Sequence, residues 1–203
     1  MTLPDRSRRV AWAKEDPFGV EFVEVSLRPD ALTAEGVAIG SDPVPYRLDY
    51  TLATGRRFVT SRLVVTTRSD GWRCLLDLRR SADGDWRVDR RSDGTPPFTM
   101  SDADAAVPSE ALDCDLGLCP LTNTMPVLRE GLLSSQSQPA EIVVAWISVP
   151  DLAIHAARQR YRHVRREENM SVVRFEDDDG FTADILFDAD GLVIDYPELA
   201  RRL

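Results

Sequence analysis

The stretch YRLDYTL at residues 46–52 alternates apolar and polar side chains without interruption. In an extended chain its tyrosines and leucines point to one side, and its arginine, aspartate and threonine point to the other. This period of two is typical of a half-buried β-strand. The same alternation recurs at residues 23–27, 72–78 and 181–188. Because several such faces need a common core to cover them, the sequence predicts a protein that consists mainly of β-sheet.

Short turns that contain glycine separate these predicted strands. They are Ser69-Asp70-Gly71, Asp83-Gly84, Asp93-Gly94, Asp179-Gly180 and Asp190-Gly191. Glycine adopts the positive φ that tight hairpin turns require, so consecutive strands are predicted to be antiparallel neighbours. The alternation of strand and long helix that marks a parallel α/β fold does not occur.

The segment DCDLGLCPLTNTMPVLREGLL at residues 113–133 is predicted to contain the single helix. Pro126 suits the first turn of a helix, and Thr122 or Thr124 can cap the free amides at its start. The apolar face predicted for this helix consists of Met125, Leu128, Leu132 and Leu133.

Other segments are predicted more simply. Residues 92–110 are polar and contain prolines, which favours a long surface loop. Residues 150–158 are compatible with helix or strand. Strands are expected again over 170–175, 181–187 and 192–196, followed by a short terminal turn over 197–203.

Composition limits the classes of partner. A formal charge of −9 disfavours nucleic acid and anionic membranes. The longest apolar run is far shorter than the roughly 18 residues that span a bilayer, and no export signal follows the first residues. The cysteines Cys74, Cys114 and Cys119 are odd in number and form no CxxC pair, which fits reduced thiols in the cytoplasm. We therefore expect a soluble cytoplasmic protein with one domain over residues 1–203.

Familiar catalytic and cofactor motifs do not occur in the sequence. GxSxG, HExxH, a P-loop and GxGxxG are all missing, so no nucleophile or cofactor site is predicted. His155 and His163 are the only histidines, and no Cys or Asp accompanies them at metal-ligand spacing. The sequence therefore predicts no metal and no cofactor.

Two carboxylates in the distinctive segment remain candidates for chemistry or for binding. Asp113 and Asp115 would share one face of a strand, close enough to act as the acid and base of a hydrolase if burial raised one pKa. A structural alternative leaves them in solvent or capping the turn at residues 122–124. Beside Thr122, Asn123 and Thr124, they also provide the acceptors and donors that sugar hydroxyls need.

A second candidate group is rich in arginine. Arg158, Arg160 and Arg162 alternate around Tyr161, so one strand face presents three guanidinium groups to a carboxylate or phosphate. Alternatively, these arginines pair with acidic side chains on a neighbouring strand.

Four segments carry a resemblance to a known family. They are DCDL at 113–116, PLTNTMPV at 120–127, FTADILFD at 181–188 and GLVIDYP at 191–197. Together with Trp12, the sequence GVE at 19–21 and RYR at 160–162, they resemble a bacterial family described as putative glycolipid-binding. The resemblance covers nearly the whole chain. It implies a spiral β-roll, a long antiparallel sheet curled around a single central helix, with dimers and a role in binding or moving glycolipids or lipoproteins.

We accordingly expect a noncatalytic protein that encloses an apolar groove for the acyl chain of a glycolipid or similar lipid. The residues predicted to contact this ligand are Asp113, Asp115, Thr122, Asn123, Thr124, Arg129, Arg160 and Tyr161. Two alternatives stay open. One is a hydrolase that uses Asp113 and Asp115, and the other is a structural homodimer that pairs through an exposed sheet edge and needs no small ligand.

Overall fold

One open sheet of fourteen strands forms most of the described chain, residues 6–98 and 107–203, in the computed structural model. The strands are β1 (Arg6–Lys14), β2 (Gly19–Leu27), β3 (Leu32–Gly40), β4 (Tyr46–Thr54), β5 (Thr60–Ser69), β6 (Trp72–Arg80), β7 (Trp86–Gly94), β8 (Asp113–Leu116), β9 (Ala140–Ile147), β10 (Ile154–Glu167), β11 (Met170–Asp177), β12 (Thr182–Phe187), β13 (Val193–Tyr196) and β14 (Ala200–Arg202). Within these residues there is one α-helix, α1 (Thr124–Arg129), and two 3-10 turns, Arg56–Phe58 and Pro120–Asn123. The predicted class, mainly β with a single helix, is confirmed.

The order of strands in the sheet is β7-β6-β5-β4-β3-β2-β1-β14-β13-β12-β11-β10-β9-β8. Two meanders therefore join at the centre of the sheet, where β1 pairs with β14. Neighbouring strands are antiparallel, as the turns predicted, except that β8 runs parallel to β9. The glycines of four predicted hairpins, Gly71, Gly84, Gly180 and Gly191, have the expected positive φ.

The sheet curls until β8, at one end, lies against the start of β5. The amide of Thr60 donates a hydrogen bond to the carbonyl of Leu112 (2.9 Å), and its hydroxyl accepts one from the amide of Cys114 (3.0 Å). The helix α1 follows β8 into this curl, where Met125 and Val127 are fully buried. The predicted roll of sheet around a helix is therefore confirmed, and its interior is filled by side chains at the helix.

The start of α1 differs from the prediction. Asn123 occupies the position before the helix, and no side chain caps the free amides there. The Thr122 hydroxyl instead lies within hydrogen-bonding distance of the Asp115 carboxylate (2.7 Å) and of the Cys119 carbonyl (2.9 Å). The helix also ends at Arg129, so Leu132 is buried from the turn that follows it rather than from a helical face.

Three local predictions were wrong or incomplete. Residues 197–203 contain β14, whose Arg202 donates to the carbonyls of Leu192 and Val193, so long-range pairing overrides the expected turn. Gly94 ends β7 rather than making a hairpin, and the strand occupies the beginning of the predicted loop. Residues 99–106 of that loop lie outside the described residues. Residues 150–158, which are compatible with helix or strand by sequence, form a turn followed by the start of β10.

A buried ion pair lies where β1 and β2 meet the loop before α1. The Lys14 ammonium is 3.0 Å from the Glu21 carboxylate, and both side chains are almost completely enclosed. Tyr50 and Cys119 donate hydrogen bonds to the same carboxylate at 2.9 and 3.1 Å. Tyr50 reaches it because its ring lies over Gly36, where a Cβ atom would come within 2.2 Å of the ring. The cluster thus connects three strands to the entrance of the helix.

Candidate functional site

An open groove of about 730 Å³ lies where β8, β9 and β10 approach the turn between β11 and β12. The sheet register places three of its lining side chains in a row across three strands. Asp115 on β8 is opposite Trp146 on β9, and Trp146 is opposite His155 on β10. The Trp146 and His155 rings are 5.7 Å apart between centroids. The row provides an acid, an indole and an imidazole on one surface.

A second group of residues in the groove lining is aromatic. Phe175 packs within 5.3 to 6.2 Å of Tyr161, Phe181 and Tyr196, measured between ring centroids. Phe181 is 37% exposed, so its ring is accessible from the groove, whereas Phe175 and Tyr196 support it from below. The groove therefore has accessible aromatic surface from Trp146 and from Phe181.

A hydrogen-bonded polar network forms the base of the groove around Asp115. The Thr122 hydroxyl donates to one carboxylate oxygen of Asp115 (2.7 Å), and the Gln159 amide donates to the other (2.6 Å). The Tyr161 hydroxyl lies 3.1 Å from the Gln159 amide oxygen and 3.0 Å from the Asn123 amide oxygen. Asn123 and Gln159 both line the groove, so part of this network borders the open space.

Asp115 receives hydrogen bonds from neutral groups only. Burial raises its pKa, and the hydrogen bonds from Thr122 and Gln159 only partly oppose that effect. Each oxygen of a carboxylate can accept about two hydrogen bonds, so Asp115 keeps acceptor capacity for a ligand. A carboxylate with a raised pKa in a groove is a candidate functional group.

Asp113, two residues earlier, has a different environment. Its carboxylate accepts two hydrogen bonds from the Arg129 guanidinium at 2.5 and 2.6 Å, and both side chains are almost fully enclosed. Burial alone would lower the pKa of Arg129, but the hydrogen bonds with Asp113 raise it. Asp113 does not line the groove, so the geometry does not support an acid and base pair with Asp115.

The residues predicted to contact a ligand thus divide into separate groups. Asp115 and Asn123 line the groove, while Thr122 and Tyr161 support them from beneath. The remaining predicted residues, Asp113, Thr124, Arg129 and Arg160, are not in this groove. Thr124, the first residue of α1, is fully buried.

The arginine-rich face of β10 is paired largely with acidic side chains. Arg158 lies 3.4 Å from Glu141, and Arg160 lies 3.6 Å from Glu176 and 3.3 Å from Asp178. These contacts agree with the alternative that placed acidic partners on neighbouring strands.

The groove lining also includes residues outside the predicted site, among them Gln159, Trp146, Phe175 and Phe181. Gln159 lies among the arginines of β10, and Trp146 lies within an apolar run, so neither was singled out. Phe175 and Phe181 were interpreted as ordinary strand residues. The sequence signal that identifies Gln159 is the alternation along β10, which places Gln159 on the same face as Tyr161.

Three findings concern other classes of site. Within residues 6–98 and 107–203, no group of three His, Cys, Asp or Glu side chains is arranged to hold a metal ion. In the same part of the chain, no helix is long and apolar enough to cross a membrane. Cys74, Cys114 and Cys119 are buried free thiols.

The curled sheet, its inner helix and its aromatic, acid-lined groove define an open β-roll protein. The chain belongs to the family described as "Putative glycolipid-binding", whose model matches residues 9–202. Its structure is similar to the crystal structure of a DUF1089 family protein from Pseudomonas aeruginosa, with a TM-score of 0.68 and 30% sequence identity. That similarity covers 90% of this chain and 92% of the other. No match was found among curated proteins.

Proposed function

We propose that this protein binds a glycolipid without transforming it, and that the groove beside Asp115 holds the sugar part of the ligand. The family description supports a binding role. The observation that carries the proposal is the combination of accessible aromatic rings and a fixed hydrogen-bonding network in one open groove. Aromatic rings provide apolar contact for the C–H faces of a sugar, and carboxylate and amide groups bind its hydroxyls.

The groove suits a head group better than an acyl chain. It is open to solvent, and Asp115, Asn123 and Gln159 contribute polar atoms to it. The space around α1 that was expected to receive an acyl chain is instead occupied by Leu121, Met125 and Val127, all fully buried. The hydrolase alternative loses support because Arg129 occupies both oxygens of Asp113.

Filling the groove is expected to abolish ligand binding. Ala157, a half-buried lining residue on β10, is replaced by tryptophan, which takes up the space without removing a polar group of the network. Lipid released by organic extraction, and ligand seen by native mass spectrometry of protein from its own cells, should fall at least about tenfold, a change of about 1.4 kcal/mol.

Ala82→Trp is the matched control, because Ala82 is exposed in the turn between β6 and β7 and does not line the groove. This variant should keep the ligand. Equal lipid content in the wild type and in Ala157→Trp would contradict the proposed location, and wild-type protein free of any lipid would contradict the function.

We also propose that two copies of the chain associate through the outer face of the sheet. Side chains on β1, β2 and β3 form an apolar patch there, with Phe22, Val20 and Ile39 exposed by 42%, 40% and 56%. The register places Val20 beside Ile39, so the patch is continuous across strands. Neighbouring charges already form pairs, Arg9 with Glu24 and Arg47 with Asp49, so a second copy meets little repulsion.

The sheet edges suit a dimer less well. The edge strand β7 carries Arg87, Asp89, Arg91 and Asp93, and charged side chains discourage pairing of strands between molecules. The other edge strand, β8, lies inside the curl. The face, rather than the edge, is therefore the proposed interface.

The double variant Phe22→Glu/Ile39→Glu is expected to be monomeric, because burying two new carboxylates in an apolar interface is unfavourable. Sedimentation velocity over a range of concentrations measures the change. Ser69→Glu, an exposed position at the end of β5, is the control and should leave the dimer intact. A wild-type protein that stays monomeric at high concentration would contradict this proposal.

The three free cysteines support a reducing compartment, so the location that we propose is the cytoplasm.

A further inference from the structure

The strongest unexplained feature of the groove is that Asp115 has no cationic partner among residues 6–98 and 107–203. Two acidic side chains are fully buried among the described residues, and each contacts a cationic side chain. Asp113 binds Arg129, and Glu21 binds Lys14. Asp115 is held by Thr122 and Gln159, which are neutral. A charge removed from water is stabilised chiefly by an opposite charge. Asp115 lines the groove, so a cationic ligand in the groove can approach its carboxylate.

Most of the other charged groups that line the groove have the same sign as Asp115. Its described lining contains five carboxylates, those of Glu110, Asp115, Asp177, Asp178 and Asp179, and one guanidinium, that of Arg158. Arg158 lies 3.4 Å from Glu141, which reduces its effect on a ligand. Arg160 likewise pairs with Asp178 from outside the lining. A groove lined mainly by charges of one sign attracts ligands of the opposite sign and repels like-charged ones.

The aromatic surfaces favour the same kind of ligand. Trp146 is half-buried and lies on the row that contains Asp115, while Phe181 is a second accessible ring in the lining. The negative face of an aromatic ring attracts an ammonium group within about 6 Å, and tryptophan does so most strongly. Carboxylate and indole together therefore form a recognisable environment for an organic cation.

We infer that the groove selects a glycolipid head group that carries an ammonium, such as an amino sugar, with Asp115 as its countercharge and Trp146 as its aromatic wall. The inference rests on the proposed function and narrows it to one ligand class. Anionic glycolipids are disfavoured by the same carboxylates. Neutral sugars keep the ring contacts but lose the ionic contact.

Two soluble probes that differ only at one nitrogen test this inference. Octyl 2-amino-2-deoxy-glucoside carries an ammonium at pH 7, and its N-acetyl counterpart is neutral. Isothermal titration of the full chain should give an affinity at least about tenfold higher for the amine, consistent with a charge-assisted hydrogen bond. The preference should shrink as salt is raised, because screening weakens the ionic contact.

The variant Asp115→Asn should bind both probes with similar affinity, while Asp70→Asn, which removes the same charge from an exposed turn, should keep the preference. Equal affinities of the wild type for the two probes, or a preference for the N-acetyl form, would overturn the inference and leave the proposed function standing. If neither probe binds and the extracted protein contains no lipid, both proposals fail. The salt dependence of the wild type gives an answer even if Asp115→Asn does not fold.

Discussion

Replacement of Arg129 by methionine is expected to lower the free energy of unfolding by about 3–5 kcal/mol. The substitution leaves the carboxylate of Asp113 enclosed in the roll without the two hydrogen bonds that the guanidinium donates. Removing one member of a buried ion pair is costly because the remaining charge has neither water nor a partner. Urea denaturation at neutral pH, followed by tryptophan fluorescence, measures the change.

Two further variants show whether the lost charge partner is the cause. Adding Asp113→Leu to Arg129→Met should restore most of the lost stability, because an apolar pair of similar volume replaces both buried charges. Arg9→Met removes an exposed ion pair with Glu24 and should have a much smaller effect. A loss in Arg129→Met that the double variant does not reduce would point to packing rather than charge.

The Arg129 pair also explains why two similar carboxylates differ in role. Asp113 and Asp115 are both on β8 and share one face of that strand. Arg129, at the end of α1, binds Asp113 and Glu130 but does not contact Asp115. Asp115 is left with neutral partners and access to the groove. The position of one guanidinium therefore makes one carboxylate structural and leaves the other available to a ligand.

Local pattern was sufficient for part of this fold, including β2, β4, β6, β11, β12 and β13. The alternation at residues 46–52 predicted β4, and the Asp–Gly pairs predicted four of the hairpins, because side-chain direction and glycine φ are local properties. Local pattern failed at β14. That strand is stabilised by pairing with β1 and by the hydrogen bonds of Arg202. These partners are distant in sequence and leave no local signal.

The candidate site was only partly predictable for the same reason. Asp115 and Asn123 belong to a distinctive segment, so they could be singled out. Gln159 is 44 residues from Asp115 in sequence and reaches it only through the register of β8, β9 and β10. Arg129 was predicted to contact a ligand because it lies near the same motif. Its burial depends on how α1 enters the curl, which spacing does not reveal.

The second large effect is expected at Lys14, the only lysine of the chain. Lys14→Met should lower the free energy of unfolding by about 3–5 kcal/mol, because Glu21 would keep a buried charge with only Tyr50 and Cys119 as donors. The cluster joins β1, β2 and β4 to the residue before Pro120. Its loss should therefore also loosen the entrance to α1, which hydrogen exchange at the amides of Cys119 and residues 121–123 can detect.

The companion variant Lys14→Met/Glu21→Gln separates the charge from the packing. A neutral amide still accepts hydrogen bonds from Tyr50 and Cys119, so the double variant should recover a large part of the stability lost in Lys14→Met. If both variants unfold at the same urea concentration, the stabilising contribution of Lys14 comes from its aliphatic stem and not from its charge. Faster exchange at Cys119 and residues 121–123 in Lys14→Met alone would connect the ion pair to the segment that positions Thr122 and Asn123 beneath the groove.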